Sequence, residues 1–429
     1  MRFASTRGVA PVVGIDDALV AGLAPDGGLY VPESLPAVDL ATPRGSLAAT
    51  AEAVLAPYFA RSRIRDALPA LCADAFAFDA PLRPLAGDGD FVLELFHGPT
   101  AAFKDYAARF LAGALAALRD DAAAPATIVV ATSGDTGAAV ASAFEGRAGF
   151  AVAILYPDGR VSPRQAHGLG CWGGNIRAFA VDGSFDDCQA MAKAVLGDVA
   201  FRSTHPLGSA NSISLGRLLP QAAYHAHAAA RHHAATGRPL GLVVPTGNLG
   251  NACAALVAQR MGAPIARIVL ATNANAALPR WLGGADWTPL PTVATLANAM
   301  DVGAPSNIER LRHWFGDDAA ARAALRGFAV DDPAIRATIA AAPARHGIVP
   351  CPHTACGLHV LERLRAEGDA GDWAVVATAH PAKFETIVEP LVGHAVPAPP
   401  ALAACLARPA RATPLRADPD AFRAALSTP

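Results

Sequence analysis

Lysine is nearly absent from this chain: of its 429 residues 35 are lysine or arginine, and only three of those are lysine. A sequence so biased toward arginine keeps lysine mainly where arginine would not serve. A lysine amine can lose its proton when desolvated and attack a carbonyl, whereas a guanidinium stays charged. Lys104, in HGPTAAFKD, is therefore a candidate covalent lysine, with chance retention as the alternative. Charge of either sign is also sparse, at 17% of residues with a formal net charge of −2. That balance predicts no nucleic acid and no acidic membrane surface as partner. Gly, Pro, Arg and Asp interrupt every apolar stretch short of the roughly 18 to 20 residues a membrane span needs. The N-terminal MRFASTRGVAPVVGIDD has no charged region leading into an apolar one, so the expected location is cytoplasmic. The seven cysteines are scattered and odd in number, which suits reduced thiols better than a disulfide framework.

What is present is ample core material, 52% hydrophobic over a length that suits two or three domains. ATIVVATSGDTGAAVASAFEG reads as a strand ending near Ala131, a Gly-rich turn and a helix from about Thr136. LGLVVPTGNLGNACAALVAQRMG repeats the plan, with its turn from Thr246 to Asn251. FAVAILYP, IRAFAVDG, ARIVLATN and WAVVATA are further buried-strand candidates between helical stretches. The alternation predicts an α/β fold with parallel sheets and a site at the carboxyl ends of the strands. The expected division is an N-terminal lobe over 1–93, α/β domains over 94–235 and 236–395, and a Pro-interrupted tail over 396–429.

Several turns carry residues suited to chemistry. Thr246, Gly247, Asn248, Leu249, Gly250 and Asn251 lie where glycines let backbone approach a ligand and helix-start amides point at an anion. Glycine needed only for steric reasons is the alternative. Ser133, Gly134, Asp135, Thr136 and Gly137 form a second such turn, in which Ser or Asp would ordinarily cap the helix. Thr378 follows the apolar strand of VVATAHPAKF. Arg160 and Ser162, after FAVAIL, suit bidentate recognition of a phosphate ester, or form a solvated turn. Cys351, His353, Cys356 and His359 have zinc-ligand chemistry, but their spacing is unusual for structural zinc and a helix from about Thr354 would scatter them. No metal is expected there. His225, His227, His232 and His233, on an Ala-rich helix, read as a solvated or interface face.

ELFHGPTAAFKD resembles the cofactor-lysine segment of threonine synthases, fold type II enzymes that use pyridoxal 5′-phosphate. TSGDTG, GRVSP, FDDCQAMAKA, NSIS, VPTGNLGN, PSNIER and TAHPAKF follow in the family's order, and ASTRG and APDGGLYVPE resemble its N-terminal lobe. The resemblance implies that Lys104 bonds the cofactor, and that the loop over Gly247, Asn248, Leu249, Gly250 and Asn251 holds its phosphate. It sets Asp135 beside the cofactor's 3′-oxygen and Thr378 at its ring nitrogen. Ser133, Gly134 and Thr136 become receivers of the substrate carboxylate, and Arg160 and Ser162 candidates for its phosphate. Leu249 stands where phenylalanine is common, and Cys351 where an acidic residue is common. Asn211, Ser212, Ser306 and Asn307 match family strings without an evident role.

The implied reaction converts O-phospho-L-homoserine and water to L-threonine and phosphate, with Lys104 as base once it is freed. The substrate is a small molecule, and the expected state is a monomer or homodimer. A phospho-lyase taking O-phosphothreonine to 2-oxobutanoate, or a γ-replacement enzyme with another nucleophile, fits the same scaffold. A non-catalytic sensor is the more distant alternative.

Overall fold

The computed structural model describes residues 1–120 and 122–428. Near the N-terminus β1 (Phe3–Ser5) and β2 (Tyr30–Pro32) pair antiparallel. Then come β3 (Leu82–Pro84), β4 (Asp90–Glu94), β5 (Ala126–Ala131), β6 (Phe150–Pro157), β7 (Ile176–Asp182) and β8 (Leu207–Ser209). The second half adds β9 (Leu240–Pro245), β10 (Ile265–Thr272), β11 (Leu325–Ala329), β12 (Trp373–Ala377) and β13 (Thr413–Arg416). They form a six-stranded sheet in the order β11-β10-β9-β12-β4-β3 and a five-stranded sheet in the order β13-β7-β6-β5-β8. Every pairing in these two sheets is parallel except the edge pair β3–β4.

This is the expected α/β architecture, and the central strands show why it was readable. β9 and β12 are buried at every position, as strands covered on both faces must be, so their sequences are continuous apolar runs. The sheets cut across the expected boundaries at two points. β4, mostly inside the supposed N-terminal lobe, pairs with β12 in the larger sheet. β13, inside the supposed tail, pairs with β7 in the smaller one, and the helix Pro419–Ser427 buries Phe422 against Phe179. A parallel strand needs a partner far away in sequence, so its membership is not written in its own neighbourhood.

The main apolar core runs from the N-terminal helices Leu47–Phe59 and Leu68–Ala75, through the helix Lys104–Leu118, to both sheets. That central helix starts beside the carboxyl end of β12. His380 donates its N–H to Ala101 O at 3.0 Å, and Phe103 donates its own to Thr378 O at 2.8 Å. The turns after β5 and β12 therefore meet at the start of the Lys104 helix.

Candidate functional site

Lys104 opens its helix after a turn tied down by its neighbour. Asp105 accepts from the Thr100 hydroxyl at 2.6 Å and the Thr100 amide at 2.9 Å, all of them buried. The turn is strained, with Ala101 at φ 53°. The only other non-glycine residue in the left-handed region, among the described residues, is Leu249 at φ 64°. Such strain persists only where surrounding structure holds it. The Lys104 side chain is 13% exposed, its Nζ 4.0 Å from Asp135 Oδ2. Burial pulls its amine down to about 8, with Asp135 opposing and Arg217 and Lys383 adding to the effect.

In the turn after β5, Thr132 satisfies the helix start, because its Oγ1 accepts from the amides of Gly134 and Gly137 at 3.0 Å each. Neither Ser133 nor Asp135 caps this helix, so the capping alternative fails for both. Asp135 is buried and its carboxylate faces two lysines, with Lys383 Nζ 2.7 Å from Oδ1. Burial alone would raise this carboxyl, but Lys383, Lys104 and His353 outweigh it and hold it well below the usual carboxylate range. The amides of Ser133, Asp135 and Thr136 donate to no protein group among the described residues.

The turn after β9 is braced from outside. Asn248 Nδ2 donates to Ser212 Oγ at 2.7 Å, Ser306 N donates to Asn248 Oδ1 at 2.5 Å, and Asn307 Nδ2 donates to Asn248 O at 2.7 Å. Arg310, fully buried, in turn donates to Asn307 Oδ1 at 2.5 Å, to Tyr30 O and to Ile213 O. NSIS and PSNIER thus gain a role as the frame of this loop. Asn251 turns its side chain away, toward His225 Nε2 at 2.7 Å and the Tyr224 hydroxyl. The backbone amides of Gly247, Asn248, Leu249, Gly250 and Asn251 are left without a protein acceptor among the described residues. Five consecutive free donors at a helix start are suited to receiving an anion. Thr378 is buried just beyond β12, adjoining the Lys104 turn through its carbonyl.

Arg160 and Ser162 sit differently. Arg160 is exposed, with Asp187 as its acidic neighbour. The Ser162 hydroxyl is occupied: it caps the helix Pro163–Gly170 by accepting from Gln165 N at 3.1 Å, and donates to Lys383 O at 2.6 Å. In CPHTACGLH, Cys351 caps the helix Pro352–Ala366, Cys356 donates to Pro352 O, and His353 Nε2 accepts from Ala299 N at 3.1 Å. The expected histidine face is corrected. His225 and His232 are buried, His232 bonding Asp372 Oδ2 at 2.9 Å, because alanines on all sides let the helix Ala222–Thr236 sink between its neighbours. Sequence reasoning passed over Lys383, Arg217 and Arg310, and weighed His353 only as a metal ligand. For Lys383 a signal existed, the same scarcity that singled out Lys104.

Comparison with known proteins supplies the family. The family model described as pyridoxal-phosphate dependent enzyme matches residues 82–381. Those for the threonine synthase N terminus and C-terminal region match 2–76 and 354–426. A threonine synthase from Serratia marcescens is 39% identical over 395 residues, 91% of each chain. The crystal structure of threonine synthase from Escherichia coli superposes with a TM-score of 0.89 at 36% identity, covering 99% of both chains. The PLP-bound threonine synthase from Brucella melitensis gives 0.90 at 34% identity, covering 99% of this chain and 98% of its own. Shared over nearly its whole length, these likenesses mean that the chain belongs to the threonine synthase family of pyridoxal-phosphate dependent enzymes.

Proposed function

We infer that this chain converts O-phospho-L-homoserine and water to L-threonine and inorganic phosphate. The observation that carries the reading is a desolvated Lys104 facing Asp135, together with a run of free backbone amides over residues 247–251. In this reading Lys104 would bond the cofactor, the amides from Gly247 to Asn251 would hold its phosphate, and Asp135 and Thr378 would meet its 3′-oxygen and ring nitrogen. Bound there, pyridoxal phosphate would supply an electron sink for charge developing at the substrate Cα. Ser133 and Thr136 offer free amides to the substrate carboxylate, Gly134 shapes the same turn with its amide held by Thr132 Oγ1, and Arg160 meets the substrate phosphate.

Lys104 Nζ is the base. With its value near 8, about a quarter of the amine is neutral at pH 7.5, against about a thousandth for an ordinary lysine. That gain is what proton removal from Cα requires. We also assign the enzyme to the cytoplasm, as a monomer or homodimer acting on a free small molecule. All seven cysteines are free thiols, and no helix among the described residues is long and apolar enough to cross a membrane. The decisive experiment incubates the cofactor-loaded protein with O-phospho-L-homoserine and identifies the amino acid formed with phosphate. L-Threonine from the wild type and none from Lys104→Ala is expected. Phosphate without threonine would move the function to a lyase or replacement reaction.

A further inference from the structure

Of the three lysines Lys383 is buried and Lys104 largely so, and both address one carboxylate. Lys193 is exposed on the helix Phe185–Gly197. Lys383, with 4% of its side chain exposed, sets Nζ 2.7 Å from Asp135 Oδ1, while Lys104 lies 4.0 Å from Oδ2. The Lys383 ammonium also donates to Thr100 O at 2.8 Å. Its backbone is clamped by the helix Pro163–Gly170, through Ser162 to Lys383 O at 2.6 Å and Arg164 Nη1 to Ala382 O at 2.8 Å. Nothing in the roles given above uses this lysine.

We propose that Lys383 is a positioning residue for Asp135 and, through it, for Lys104. The proposal rests on the reading of Lys104 as the lysine that reacts. To react, Lys104 must become neutral, and a buried carboxylate would then lose its counter-charge and take up a proton or turn away. Lys383 is the cation that remains. The two lysines divide the work: one changes its charge, while the other keeps Asp135 ionised and aimed. Lysine suits the task because one compact ammonium serves the carboxylate and the Thr100 carbonyl together, where a planar guanidinium would need a wider slot.

The other charged or titratable groups around this pair leave its behaviour readable. Arg217, from the helix Leu215–Leu218, is lowered by burial only to about 10 and stays cationic at neutral pH. His353 is pushed by burial down to about 4 and is neutral there. Asp105 is held by Thr100 and raised by burial, the Cys351 thiol is raised by burial, and Arg164 and Cys405 border the far side of Asp135. Removing Lys383 leaves Asp135 to pair with Lys104 alone, which stabilises protonated Lys104 and moves its titration upward.

The test follows bond formation between pyridoxal 5′-phosphate and cofactor-free full-length protein, by absorbance, from pH 6 to 10, a readout independent of turnover. For the wild type the midpoint is expected near 8. In Lys383→Met it should move alkaline by about one unit, a roughly tenfold slower reaction at pH 7.5. In Lys383→Met/Asp135→Asn it should return to the wild-type midpoint or below. An unchanged midpoint in the single variant, or no return in the double one, overturns the proposal. Should the variants not fold, difference infrared spectra of the wild type, with Asp135→Asn identifying the band, decide instead: a carboxylate that stays ionised from pH 5 to 9 supports the role, and a protonated one refutes it. Borohydride reduction and peptide mapping keep the two readings apart. A label on Lys104 with unshifted midpoints defeats only the role of Lys383, whereas a label elsewhere defeats the reading of Lys104.

Discussion

The loop after β9 contains two glycines that the protein needs for different reasons, and replacing each by alanine separates fold from ligand. A Cβ on Gly247 would lie 2.7 Å from Met300 Cα and 2.9 Å from its carbonyl oxygen, so backbone would have to move. Gly247→Ala should destabilise the cofactor-free protein by about 1 to 3 kcal/mol. At Gly250 the nearest atoms are Ser212 O at 3.8 Å and Gln221 Nε2 at 3.9 Å, ordinary contact distances, and its φ is not positive. The protein's own packing does not require glycine there, and alanine in the helix Gly250–Arg260 should leave stability unchanged or raise it by up to about 1 kcal/mol. If the free amides around it receive a phosphate, the added methyl crowds that approach and weakens one charge-assisted hydrogen bond, worth about 1.5 to 3 kcal/mol. Gly250→Ala should then bind pyridoxal 5′-phosphate about 10- to 100-fold more weakly. Thermal melts of the cofactor-free variants give the first quantity. Equilibrium titration in a Lys104→Ala background, where no covalent bond contributes, gives the second. A Gly250→Ala protein that melts like the wild type and binds the cofactor equally well would refute the phosphate role of these amides.

Three further outcomes follow from the same geometry. Because the Lys104 amine lies near 8 when folded and at 10.5 as the ordinary value, the unfolded chain holds more proton between those limits, so stability should rise with pH across that window. The rise, roughly 2.5 kcal/mol between pH 7.5 and 10 by the linkage, should vanish in Lys104→Met, and urea titrations of both proteins at those two pH values would show it; an equal rise in both would exclude Lys104 as its source. Arg310→Met leaves Tyr30 O, Ile213 O and Asn307 Oδ1 without their donors, and should cost about 3 to 5 kcal/mol in urea unfolding and loosen the Asn248 loop; a loss under about 1 kcal/mol would show that the frame is not needed. Arg160→Ala should raise KM for O-phospho-L-homoserine about 3- to 10-fold at low salt with kcat unchanged, as expected of an exposed phosphate contact, and an unaltered KM removes Arg160 from the site.

How much of this was legible depended on where burial left its mark. β5, β6, β7, β9, β10 and β12 are inner strands, and their apolar runs announce them; β4 is inner too, but the short Asp90–Glu94, charged at both ends, carries no such run. β3, β8, β11 and β13 lie at sheet edges and are half exposed along much of their length. An edge strand such as Thr413–Arg416 carries no apolar pattern of its own, since its place is set by open hydrogen-bonding groups on β7. The site divides in the same way. Gly-rich turns between strand and helix were visible because local geometry demands them, whereas Asn307 and Arg310 act on Asn248 from some sixty residues away, and no local pattern distinguishes a framing arginine among so many others.

Lys383 is the instructive miss. Scarcity selected lysines over arginines, but a second criterion, a turn and an aromatic at a helix start, then kept only Lys104. Those local features describe a residue that approaches a ligand. A residue that supports another needs none of them: Lys383 sits in a single turn of 3-10 helix, and its function depends on Ser162 and Arg164 holding that turn against Asp135 from the opposite sheet. Scarcity therefore narrows the search to three side chains, and only the fold separates exposed Lys193 from the two that face Asp135. The same division explains why Ser162 falls in a family-like string without pointing at a substrate, since its hydroxyl is already committed to the Lys383 carbonyl.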